Sequence, residues 1–447
     1  MQFLVERLER FLTFVFLLIA ATVFWPPNSY FIGTRTSAQA AAAGGTNIFD
    51  SVAFAALAGF LGIAILVHWR KFPRLMSCAW PALLMVAFAF LSAVWSDDPD
   101  LVVRRAAGIA VYTLFGIYLV ARSSMEEFIA LMVKVWAFAM AGSLFVTLFV
   151  PKLAIGENST YASALRGAFT DKNTLGLSCA LGIIFSAYAF RKRIGPRWLS
   201  GFTIAASLVM LKLAESKTPV VVILAALYAG ILGGAVRRRS GLGLVLGFIF
   251  AVLAIGVVAV AAADPGQVLA ALGRDATLTN RVPIWNLAIG YIARRPWLGY
   301  GYEAFWRAGG VEANQIWALS YWHVPHAHNI WLELALSIGI VGCGLLAFLF
   351  VSAIFRALRV ATAPHARHAA FALALTAGAF MENLTEYAFF RRGEILWLLF
   401  VTVFVYLGQQ VIARRATRPA PHDRPRVVLP PRPAYAPKPR PPAEMPA

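Results

Sequence analysis

Charge is scarce in this chain: Asp, Glu, Lys and Arg make up 14% of its 447 residues, against 60% hydrophobic residues. A water-soluble fold of this length has no use for so many long apolar runs, which leaves a polytopic membrane protein. Cysteine is scarcer still. Cys78, Cys179 and Cys343 stand singly in apolar segments, so neither a disulfide framework nor a thiolate metal site is available, and simple packing accounts for them. No Walker-type glycine loop and no dinucleotide fingerprint occurs, which argues against ATP use within the chain.

What is abundant is apolar sequence. Segments near 11–25, 49–67, 78–95, 106–121, 128–149, 174–190, 199–213, 218–235, 241–262, 329–350, 368–388 and 394–412 each cross, or nearly cross, a hydrocarbon core that needs roughly 17–25 residues. About twelve transmembrane helices are expected, nine of them within residues 1–262 and three within 328–412. Arg70, Lys71, Arg74, Arg191–Arg193, Arg197, Arg237–Arg239, Arg356, Arg359, Arg367 and the C-terminal tail place Lys and Arg on one face, which the positive-inside rule makes cytoplasmic. Both termini are then cytoplasmic, and the net charge of +19 reports topology rather than nucleic-acid binding. The small residues at Ala38-Gln39-Ala40 lie too far beyond the first apolar run for signal cleavage, so an uncleaved first helix is expected.

Two outward stretches interrupt the short connections, one at about 150–173 and one over 263–327. Loops of such length are usually functional or disordered. The second holds a helix-like passage, VPIWNLAIGYIARR, and a glycine turn, LGYGYEAFW; its Trp, Tyr and Arg content predicts an ordered, partly membrane-lying unit. Residues 413–447 form a basic, proline-rich tail, expected to be extended and solvated unless a proline-recognising partner takes it.

Arg166, Lys172, Arg274, Arg281, Arg294, Arg295 and Arg307 break the charge rule by lying in outward loops. A guanidinium is permanently charged and matches phosphate oxygens, so this cluster suits an anionic lipid headgroup or a pyrophosphate; for Arg294 and Arg295 plain anchoring to lipid phosphates is the favoured reading. His328 and Asn329 open the helix after the large loop, followed by Gly339 and Gly342, small residues that let helices approach closely. Histidine accepts a proton at neutral pH, although on its own it is more often structural. Glu333, an ionisable group inside a span, is a further candidate that would orient a loop arginine.

Two metal readings are weak. His323, His326 and His328 have spacings suited to zinc but no carboxylate or thiolate to complete the set. Asp98-Pro99-Asp100 has the form of an Asp-x-Asp metal site, yet a turn capping the next helix is the commoner use.

Taken in order, RGAFTDKNTLG (166–176), SKT (216–218), GRDATLTNRVPIW (273–285), GYGYEAFW (299–306), HAHNIWLELALSIGIVG (326–342) and ENLTE (382–386) make the chain resemble the O-antigen ligase/polymerase superfamily of Wzy and WaaL types, and within it the ExoQ-like exopolysaccharide polymerases. Asp171 stands where the family usually has histidine, and Asn280 where it usually has glycine, departures that bear on substrate detail. The resemblance implies an all-α, GT-C-like inner-membrane glycosyltransferase with its active site in the periplasm. It would use undecaprenyl-pyrophosphate-linked glycans without metal, cofactor or nucleotide sugar. His328, Arg281 and Arg166 would then be catalytic. Lys172, Asn173, Tyr302, Glu303, Asn329 and Glu333 would be substrate-binding. Expected partners are the lipid-linked oligosaccharide, membrane lipids, a flippase and a chain-length regulator. A polymerase is the favoured reading; a ligase that transfers finished glycan to lipid A core, and a transporter or flippase, are the rivals.

Overall fold

The computed structural model describes residues 2–21, 48–155, 165–241, 245, 281–307, 309–320, 324–362 and 368–416. The expected span at 241–262 and the proline-rich tail lie largely outside these residues, as do Arg274 and His323. The chain is helical: α1 (Gln2–Ala20), α2 (Ile48–Val67), α3 (Phe72–Leu91), α4 (Pro99–Arg122), α5 (Met125–Phe149), a single turn α6 (Pro151–Ala154), α7 (Lys172–Lys192), α8 (Arg197–Ala214), α9 (Thr218–Arg238), α10 (Arg281–Arg294), α11 (Val311–Ser320), α12 (Ile330–Ala361), α13 (Ala369–Glu382) and α14 (Ile395–Ala416). Among the described residues, extended pairing is limited to one bridge, Ile155 with Leu165. Among the described residues, eight helical stretches are long and apolar enough to cross a membrane, and two shorter apolar helices, Val52–Val67 and Ala369–Glu382, accompany them.

Side chains at the helix starts explain where the spans begin. Asp98 Oδ1 accepts from Leu101 N at 3.1 Å, so the Asp-x-Asp letters serve as an N-cap of α4. Ser124 and Glu127 form a capping box on α5. Asp171 Oδ1 accepts from Asn173 N and Thr174 N at 2.8 and 3.0 Å and starts α7. Helix α9 packs on α13, α8 on α7, and α14 on α3, α4 and α12. Fully buried Trp136, Trp397, Tyr118, Phe115 and Phe185 fill the space between them.

Polar contacts gather at two ends of this bundle. At one end, Lys71 donates to Ala121 O, His68 meets Glu9 and Tyr188 meets His368. At the other, Trp95 Nε1 donates to Leu298 O and Ser96 Oγ to Tyr300 O, tying the end of α3 to the large loop. The described part of that loop has a core of its own, in which Ile284, Tyr291, Phe305, Ile316, Trp317 and Leu336 pack together. The helix-like passage is helix α10, as its pattern predicts.

Helix α12 is broken. Ile338 and Gly339 leave helical geometry, with Gly339 at φ 68° and ψ −171°. The carbonyls of Leu336 and Ser337 are taken up by Tyr300 N and Gly301 N, both at 2.8 Å, while Ile340 N donates to Pro296 O at 2.8 Å. Non-helical backbone at such a place is tolerated because the glycine-rich loop satisfies it. Gly339 is therefore the point where the helix opens to receive the loop, a role different from the helix–helix spacer expected from its size.

Candidate active site

Three distant segments meet at one carboxylate, Glu386, in the turn between α13 and α14. Arg281, the first residue of α10, places one guanidinium nitrogen on Glu386 Oε1 and another on Thr385 O. His328 Nδ1 lies 3.0 Å from Glu386 Oε2. Asn173 Nδ2, in the first turn of α7, donates to Glu386 Oε1 at 2.9 Å. The side chains of Arg281, His328 and Glu386 retain 16%, 15% and 11% exposure, so the cluster is sheltered but reachable.

Burial alone would raise the Glu386 pKa, but the hydrogen bond from His328, together with the charge and hydrogen bond of Arg281, opposes it, and the carboxyl is held below its ordinary value. An ionised carboxylate only accepts, so His328 must carry its proton on Nδ1, which leaves the Nε2 lone pair as the basic one. His326 is held well below the usual histidine value by burial, by His328 and by Arg391 and Arg281. It is therefore neutral, and its Nδ1 accepts from His328 N at 3.2 Å. The two rings lie 4.2 Å apart.

Local backbone geometry aims these groups. His328 has φ 51°, a left-handed conformation that is uncommon outside glycine, so it precedes α12 instead of beginning it. Asn329 is the N-cap: its Oδ1 accepts from Trp331 N and Leu332 N, and its Nδ2 donates to Leu384 O at 2.9 Å. Ile330 N donates to Asn383 O at 3.0 Å. The start of α12 is thus fastened to the 383–386 turn by the two residues that follow the histidine.

Comparison with known proteins adds to this geometry. Residues 202–349 match the family Wzy_C, described as O-antigen ligase. The chain is similar to the O-antigen ligases. It is also 29% identical over 323 residues to the exopolysaccharide production protein ExoQ of Rhizobium meliloti (strain 1021), a match that covers 70% of this chain and 72% of that protein. The O-antigen ligase segment contains Arg281 and His328, while Asn173 and Glu386 lie on either side of it.

The other candidates fall into different surroundings. Arg166 is buried, with its backbone N on Ala154 O and its Nε on Leu153 O. Lys172 is the first residue of α7, half-buried beside Asn173. Tyr302 is fully buried, and its hydroxyl donates to Phe390 O at 2.8 Å. Glu303 is buried next to Tyr387, whose hydroxyl donates to it at 3.2 Å, with Arg391 Nε at 3.9 Å. Glu333 Oε2 accepts from Trp306 Nε1 and Ala327 N at 3.0 and 2.8 Å; it fastens the segment before His328 rather than an arginine. Arg295 and Arg307 pair with Asp97.

Reasoning from residues alone gave no role to Glu386 or to Arg391, which lies near Glu303 and Glu394. Burial raises Glu394 to about 7, with Arg391 opposing. The ENLTE stretch was the available signal for Glu386.

Proposed function

We propose that this chain is a membrane glycosyltransferase of the polysaccharide polymerase kind, moving a growing glycan from undecaprenyl pyrophosphate onto an incoming lipid-linked repeat unit. The observation that carries the reading is the shared grip of Glu386 on Arg281 and His328. It sets a permanent cation and a base side by side at the mouth of the large loop, inside and next to the segment that matches the O-antigen ligases.

Arg281 stabilises the negative charge that grows on the donor pyrophosphate as the anomeric C–O bond breaks. His328 Nε2 takes the proton of the acceptor sugar hydroxyl, and Glu386 fixes its tautomer and favours the imidazolium that forms. Asn173 and Asn329 hold Glu386 and the start of α12 in place. Arg166, in the loop that leads into α7, is assigned as a further phosphate contact. The site faces the periplasm in this reading, opposite the Lys- and Arg-rich turns. Because arginine meets the pyrophosphate charge, no divalent cation is needed, and product formation is expected to survive EDTA.

The test is reconstitution. Purified protein supplied only with lipid-linked repeat units is expected to yield high-molecular-weight polysaccharide, and His328→Ala or Arg281→Ala, at normal membrane levels, to abolish it. Retained polymer in either variant overturns that residue's role. The family's own description favours one second reading, a ligase. Offering lipid A core beside a second repeat unit separates the two: product on the core supports the ligase and product on the repeat unit the polymerase.

A further inference from the structure

We propose that a cleft between α3, α12 and α14, remote from Glu386, binds an anionic glycerophospholipid with its headgroup between Arg356 and Arg359. The cleft has a volume of about 360 Å³, and its walls include Ser77, Trp80, Phe355, Arg356, Arg359 and Ile412. Arg356 lies some 26 residues beyond Ile330 on the same helix. The unbroken stretch after Gly339 alone, at 1.5 Å per residue, spans about 25 Å to Arg356, so the cleft lies at the end of the bundle away from the candidate active site.

Charge at this cleft is prearranged and uncompensated. Arg356 donates to Cys78 O at 2.6 Å and to Phe404 O at 3.2 Å, and its guanidinium lies 3.8 Å over the Phe404 ring. Arg359 stacks 4.2 Å over Phe355, and its own carbonyl receives Arg414. Among the described residues no carboxylate pairs with Arg356 or Arg359. A permanent charge within a membrane-spanning helix is costly until an anion meets it, and basic pockets between helices are suited to lipid headgroups.

The remainder of the cleft matches the other half of a lipid. Trp80, Phe355 and Ile412 are exposed by 50%, 53% and 36%, so an apolar rim continues outward from the arginines. A free phosphate ion would leave that rim unused, and an acyl chain would cover it. A zwitterionic headgroup would bring its own cation to the arginines. A headgroup with one net negative charge and acyl chains attached, as in phosphatidylglycerol, satisfies both halves.

The test uses the purified full chain in detergent, titrated with phosphatidylglycerol or phosphatidylcholine and read by native mass spectrometry. The wild type is expected to retain phosphatidylglycerol in preference to phosphatidylcholine. Arg359→Gln, which keeps the carbonyl used by Arg414, should weaken phosphatidylglycerol binding about fivefold, and Arg356→Gln with Arg359→Gln about thirtyfold, on the usual worth of an arginine near an anionic headgroup. Should the double variant fail to fold, the single variant decides. Equal retention of both lipids, unchanged binding by Arg359→Gln, displacement by inorganic phosphate, or preference for a polyprenyl monophosphate would each overturn the proposal. Glycan transfer by Arg359→Gln is measured in parallel, so a failure of this site is distinguishable from a failure of the proposed reaction.

Discussion

Glu386→Ala is expected to lower polymer formation by roughly a hundred- to ten-thousand-fold, the range set by losing a positioned general base. The substitution removes the acceptor shared by Arg281, His328 and Asn173. His328 loses the tautomer that presents Nε2 as base, and Arg281 is left sheltered without its counter-charge, a situation that is itself destabilising. Glu386→Asp should recover part of the rate, whereas Glu386→Gln, which keeps the shape but not the charge, should not. Reconstituted polymerisation with melting curves for each variant separates lost chemistry from lost fold; a folded Glu386→Gln protein that polymerises at the wild-type rate would remove Glu386 from the mechanism. The pH dependence follows from the depressed pKa. The unfolded chain binds a proton at Glu386 at a pH where the folded chain does not, so this stabilisation is present above the ordinary value of 4.5 and lost as pH falls through the lower folded value. In Glu386→Gln that share of acid sensitivity should vanish.

Gly339→Ala is expected to prevent stable assembly. A Cβ at this position would lie 2.0 Å from Trp297 O and 2.2 Å from Trp297 C, and φ 68° is unfavourable for any side chain. The obstacle is backbone, so no rotamer change relieves it. The Gly299–Gly301 loop would separate from the broken helix, leaving the Leu336 and Ser337 carbonyls unsatisfied at several kcal/mol in an apolar setting. Gly344→Ala is the matched control, since a Cβ there meets nothing within 4 Å. Membrane abundance and a monodisperse elution profile check both; a Gly339→Ala protein as abundant and as homogeneous as Gly344→Ala would contradict the account of the break.

Much of the architecture is legible from hydropathy because each span must satisfy its own backbone and therefore reads as one uninterrupted apolar run. Arg281 and His328 were also legible as candidates, the first because arginine is rare in a loop expected to face outward and the second because it sits where polar loop becomes apolar helix. Glu386 was not, for a physical reason: its contacts are with partners between 58 and 213 residues away in the chain, and no local pattern reports that. Tyr302 was a candidate by resemblance alone; folding buries it against Phe390, a placement that its position in a glycine turn does not report. Glu333 was expected to orient a loop arginine from inside the span, yet it lies in the first turn of a helix that starts at Ile330, and its carboxylate turns back to hold the segment that precedes it.

The three residues joined at Glu386 also impose an order in time. Synthesis delivers Asn173, Arg281 and His328 to the membrane well before the turn that holds Glu386, which follows α13. A nascent chain therefore has its cation and its imidazole with no carboxylate to unite them. The cluster can close only after the turn that follows α13 has been made, so its geometry depends on the late insertion of α13 and not on the earlier spans.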